Sequence, residues 1–178
     1  MLHIMLDLET LATKRNAVVL TCGAMRFDPY DITKEPAAPF YVRLNVDEQI
    51  EKGRLVDPDT VAWWGKQPQA AQDEAMSDGD RIALDDFTTQ LNKYVVGADK
   101  IWAQGPLFDI VILEDIYFQL GKPVPWHYGQ IRDSRTVFDM GDDSLKKNNS
   151  SAHNSLADAF FQAKAVQAIY QSCGVVKK

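Results

Sequence analysis

Cysteine is scarce in this chain: Cys22 and Cys173 are the only two in 178 residues, far apart and without CxxC spacing. That argues against a disulfide scaffold or a cysteine zinc site and leaves two reduced packing residues as the reading. Long apolar runs are missing as well. No stretch approaches the ~20 residues of a membrane helix, and the first residues lack the basic start, apolar centre and cleavage site of a signal peptide. The expected setting is therefore the cytoplasm, with no membrane partner. Positive charge is in deficit, with 19 Lys and Arg against 25 Asp and Glu, a net charge of -6. Such a balance argues against a protein that coats nucleic acid through a basic surface. It leaves room for an enzyme that meets phosphate through bound divalent cations. The length suits one domain with its own core, so 1–174 reads as a single domain and 175–178 as a frayed tail.

What is present begins with an apolar strand, residues 3–8, that runs into Asp7-Leu8-Glu9-Thr10. A second strand is expected over 16–28 and a third over 40–44, an antiparallel meander with turn chemistry at Asp28-Pro29-Tyr30-Asp31. From Asp47 the pattern turns helical. Asp57-Pro58 and Pro68-Gln69 each open a helix, and apolar residues at helical spacing run through 83–96. A short buried strand at 101–103 precedes a helix over 108–120 closed by Gly121. A further strand element is expected within 126–136, a polar loop over 142–151, and a last helix from Ser155, its N-cap, to Gln171. Three strands followed by helices alternating with short strands indicate an α/β domain with a mixed sheet.

Three acidic positions stand out. Asp7 and Glu9 are two apart on a strand, so their side chains share one face. Acids at the end of a buried strand are costly unless a cation joins them; alone, the pair reads equally well as Glu9 lying in solvent beyond the strand. Asp109 opens the mid-chain helix, where the helix dipole by itself favours an acid. Asp158 falls in the first turn of the last helix, with His153 before it. On a continuous helix positions 153 and 158 would be separated by about 140°, so they converge only if His153 is not helical.

The order of these elements carries more than each alone. Asp-x-Glu-Thr on the first strand, Phe108-Asp109 at a mid-chain helix and His153-x-x-x-x-Asp158 at the last helix resemble the DEDDh 3′–5′ exonucleases of the ribonuclease H-like superfamily. Val61-Ala62-Trp63-Trp64 and Arg132-Asp133-Ser134-Arg135-Thr136 are similar to the small stand-alone exoribonucleases of bacteria and phages. One departure is Gln104-Gly105, where many members carry an Asn before the mid-chain Asp.

The resemblance implies a ribonuclease H-like mixed sheet, antiparallel over its first three strands and then shorter, flanked by helices. It implies hydrolysis at the 3′ end of single-stranded nucleic acid with release of nucleoside 5′-monophosphates, in the cytoplasm of a bacterial or phage-infected cell. Two divalent ions, Mg²⁺ or Mn²⁺, would be held by Asp7, Glu9, Asp109 and Asp158; hard cations prefer such oxygen ligands. His153 would be the general base, a task suited to a group that titrates near neutrality. Relatives are often homodimers. Thr10 and Leu11 would flank the terminal nucleotide, and Phe108 would stack on a base.

Trp63 and Trp64 cannot face the same way on a helix. One belongs to the core, and the other, taken as Trp64, is a platform for a base. Arg132 and Arg135 suit either phosphate or an ion pair with Asp133, with Arg135 the candidate for substrate. Lys146 and Lys147 are either a backbone funnel or a solvated pair. Two competing functions are an exonuclease fold kept only as a binding module, and an Asp-based phosphotransferase. The latter gives no role to His153 and expects a second Asp where Glu9 stands.

Overall fold

The computed structural model describes residues 2–142, 144 and 153–177. Among them, six strands form one mixed sheet in the order β4-β3-β2-β1-β5-β6. β1 (His3–Thr10), β2 (Val19–Phe27) and β3 (Ala37–Leu44) pair antiparallel. β4 (Arg81–Ile82) runs parallel to β3, while β5 (Lys100–Ala103) and β6 (Ile131–Asp133) extend the other side in parallel. Helices connect them: α1 (Val46–Glu51), α2 (Pro58–Trp64), α3 (Gln69–Met76), α4 (Leu84–Val95), α5 (Asp109–Gln119), α6 (Ser134–Phe138) and α7 (Ser155–Ser172). The antiparallel start, the shorter parallel strands after it and the flanking helices are the mixed-sheet α/β architecture expected from the sequence.

β1 is central, so both of its faces must be covered. Ile4, Leu6 and Leu8 pack with Phe87 and Leu91 of α4 and Leu113 and Ile116 of α5. Met5, on the opposite face, packs with Trp102, Val137 and the Ala159, Ala163 and Val166 side of α7. Asp7 and Glu9 continue the Met5 face by the two-residue period of a strand, and so lie under α7. A third cluster, with Leu11, Leu20, Trp64 and Ala75, sits beneath α2 and α3.

Several boundaries differ from the sequence reading. β2 starts at Val19 because the preceding residues form a bend, Ala17 bridging to Leu55. The cap of α7 is Asn154, whose side chain accepts from Ala157 N–H; Ser155 is instead buried, its hydroxyl 2.9 Å from Thr21 Oγ1. The 126–136 segment holds the short β6 and then α6, which is too brief for periodicity to reveal. β4, two residues long, escapes notice for the same reason. His3 lies on the central strand, buried, its Nδ1 accepting from Trp102 Nε1 at 2.9 Å. Most of the polar stretch 142–151 lies outside the described residues. Cys22 is buried and Cys173 exposed, both free thiols.

Candidate active site

Asp7 pairs with Gly23 across the β1–β2 ladder. A Cβ on Gly23 would stand 2.2 Å from Leu156 N and 2.3 Å from Ser155 C, inside backbone atoms that cannot yield cheaply. Glycine at this position therefore lets the first turn of α7 rest directly on the sheet. The Thr21–Ser155 hydroxyl contact pins the same turn. Asp158 is thereby set over β1, and ligand oxygens of Asp7, Glu9 and Asp158 lie within 4.8 Å of one another. Four residues further along α7, Gln162 Nε2 donates to Asp7 Oδ1 at 2.9 Å.

Asp109 approaches from the other side of β1. It is buried at the start of α5, and its Oδ1 accepts the Leu8 backbone N–H at 3.1 Å. It stands outside the 4.8 Å group, yet its charge is the largest one acting on Asp7, since Coulomb forces reach further than coordination. The four acids named from sequence thus occupy one neighbourhood.

Their electrostatics are severe. Burial, then the charges of Asp109, Glu9 and Asp158, push the Asp7 carboxyl well above the usual range. Glu9 is pushed up to about 8, first by burial and then by Asp158 and Asp109. Burial raises Asp109 to about 7, opposed by its backbone hydrogen bonds and the charge of Arg135. Among the described residues no lysine or arginine forms an ion pair with Asp7, Glu9 or Asp109. Gln162 Oε1 is a buried acceptor without a partner beside this group. Crowded oxygen donors, of which Asp7, Glu9 and Asp109 meet no protein cation among the described residues, fit a hard divalent ion. Cys22, whose thiol burial pushes up, offers no thiolate to compete.

His153 lies just before α7 in the left-handed region, φ 67°, and is not helical. Its backbone N–H donates to Asp158 Oδ2 at 2.9 Å, which brings the residue back over the acids despite the five-residue spacing. Beside the acids opens a cavity of about 500 Å³, lined by Glu9, Thr10, Thr13, Asp57, Thr60, Trp63 and Phe108 among others. Along this wall the two tryptophans reverse the expected assignment. Trp64 is 2% exposed and donates Nε1–H to the Thr10 carbonyl, whereas Trp63 is 42% exposed. Trp64 also lines the cavity, but a buried, hydrogen-bonded indole offers a base far less surface than Trp63 does.

Leu11 also turns inward, packed in the cluster beneath α2 and α3. Arg135 donates to the Gln104 carbonyl and Arg132 to the Gly129 and Ile131 carbonyls. Asp133 is occupied instead by capping α6 and by Gly105 N–H, so neither arginine forms the expected ion pair. Lys146 and Lys147 lie outside the described residues.

A family model describing the Rv2179c-like 3′–5′ exoribonuclease domain matches residues 2–170. The chain belongs to this family. Curated proteins offer no match. Among solved structures, the zinc-bound E. coli exonuclease I–ssDNA complex aligns at 17% identity and TM-score 0.67, over 98% of this chain and 41% of that one. The E. coli exonuclease I complex with a dT13 oligonucleotide aligns at 18% and TM-score 0.63, over 95% and 41%. The chain thus spans about two fifths of these relatives' length.

Within this domain, four site residues escape a reading of isolated motifs. Gln162 carried a signal: it is four residues after Asp158 and so shares its helix face. Gly23 offered none, because nothing local in a strand tells which glycine meets a distant helix. The cavity threonines Thr13 and Thr60 are equally silent, since ordinary loop and helix-start positions explain them.

Proposed function

We propose that this domain is a divalent-metal-dependent 3′–5′ exonuclease that acts on single-stranded nucleic acid, RNA or DNA, and releases nucleoside 5′-monophosphates. The observation that carries the reading is the convergence of Asp7, Glu9 and Asp158, with Asp109 behind them, next to a cavity of nucleotide scale. Family membership over residues 2–170 supports the reaction class. In E. coli exonuclease I a single strand occupies a protein of the same fold.

Asp7, Glu9, Asp109 and Asp158 would hold two Mg²⁺ or Mn²⁺ ions. When bound, such ions make water nucleophilic at neutral pH and stabilise charge on the departing oxygen. His153 takes the proton from the attacking water. The water oxygen bonds to phosphorus, and the bond to the 3′ oxygen of the preceding nucleotide breaks. Thr10, Phe108 and Trp63 wall the space for the terminal nucleotide. Gln162 fixes the Asp7 carboxylate by its hydrogen bond, as groups behind metal ligands commonly do.

The test offers end-labelled single-stranded RNA and DNA, with free and blocked 3′ ends, in Mg²⁺ or Mn²⁺. Stepwise shortening from free 3′ ends, abolished in Asp7→Ala, is expected. Internal cuts, or no cleavage with either ion, would overturn the proposal.

A further inference from the structure

We propose that Trp63 is a positioning residue for His153, orienting the imidazole by aromatic packing where a hydrogen bond would ordinarily serve; the inference rests on the proposed function. The ring nitrogens of His153 make no hydrogen bond among the described residues, although its backbone N–H is held by Asp158. What its ring does touch is indole. Trp63 lies edge-to-face with it at 4.9 Å and 87°, and Trp64 at 6.2 Å and 75°. The two indoles are themselves edge-to-face at 5.2 Å.

This aromatic wall is anchored independently of α7. Asp57 caps α2, and Trp64 hangs from the Thr10 carbonyl, one residue after Glu9. His153, by contrast, sits at φ 67°, a backbone conformation that a residue with a side chain rarely holds unless its surroundings enforce it. Edge-to-face pairs have a preferred geometry and an attraction beyond area burial. Trp63 therefore serves two partners, since it also lines the nucleotide cavity. An indole that only stacked on a base would affect binding alone; one that aims the imidazole must act through His153.

The test is a double-mutant cycle. Wild type, Trp63→Leu, His153→Ala and the double variant are compared for kcat and KM on an end-labelled single strand with a free 3′ end and Mn²⁺, with Trp63→Phe as the rescue. Trp63→Leu is expected to lower kcat about tenfold, the loss of roughly one aromatic contact expressed in the transition state. Trp63→Phe should recover most of it, and the double variant should be no slower than His153→Ala alone. A raised KM with kcat unchanged, or losses that multiply in the double variant, would overturn the proposal.

A second readout needs no turnover. The imidazole C–H resonances of His153, assigned by their absence in His153→Ala, should move in Trp63→Leu because neighbouring ring currents are removed. Unmoved resonances would overturn the contact itself. A wild type that cleaves no free 3′ end would overturn the exonuclease reading and this role with it, whereas the resonances would still decide the contact.

Discussion

Raising the pH should destabilise the metal-free protein, and divalent metal should cancel the effect. Glu9 titrates near 8 in the folded protein against 4.5 for a free glutamate. Between those values the folded chain holds a proton that the unfolded chain has released. Stability from this group is therefore complete below about 4.5 and is lost as pH rises through about 8. At about 1.4 kcal/mol for each pH unit of separation, the ceiling is roughly 5 kcal/mol for one group. Asp7 and Asp109 shift in the same direction, but neutralising one acid relieves the others, so their contributions do not add. An effect of about 3 kcal/mol corresponds to a fall of roughly 10 °C in Tm for a domain of this size.

The assay is thermal unfolding between pH 5 and 9 in EDTA and again with Mn²⁺, followed by the fluorescence of the four tryptophans. The metal-free Tm should fall with pH, and Mn²⁺ should flatten the curve by binding the ionised carboxylates. Asp158→Asn removes the largest charge acting on Glu9, though not the burial that outweighs it. That variant should show a shallower fall and a much smaller Mn²⁺ response. A metal-free Tm that is flat or rises with pH, or a full Mn²⁺ response in Asp158→Asn, would refute the reasoning.

Three further outcomes are expected. Gly23→Ala forces a methyl group into the Ser155–Leu156 backbone, so it should cost about 1–3 kcal/mol in denaturant unfolding and weaken Mn²⁺ binding, because Asp158 moves with α7. His153→Ala should keep the Mn²⁺-induced rise in Tm while turnover drops about 10²–10⁴-fold, the usual share of general-base catalysis. Gln162→Leu takes away the hydrogen bond that lowers the Asp7 pKa, and calorimetric titration should then show Mn²⁺ affinity reduced by about tenfold or more.

The parts legible in the sequence were those with local physical signatures. Period-two burial placed Asp7 and Glu9 on one face of β1, and the helix starts at Asp57-Pro58 and near Asp109 follow from capping and proline chemistry. His153 had to leave the helix to reach Asp158, and it does so at positive φ. What stayed hidden depends on contacts between distant segments. Trp63 and Trp64 are adjacent and chemically identical, so only the Thr10 carbonyl, 54 positions away from Trp64, decides which one is buried. Leu11 was placed by resemblance, and packing beneath α2 and α3 claims it instead.

The central claim is that Asp7, Glu9 and Asp158 form a cage for divalent metal, with Asp109 at its back. Anomalous scattering from crystals of the protein grown with Mn²⁺ tests it most directly. Manganese peaks within coordinating distance of the Asp7, Glu9 and Asp158 carboxylates, absent in Asp7→Asn, are the expected result. Manganese found elsewhere on the surface, with these acids unligated, would contradict it.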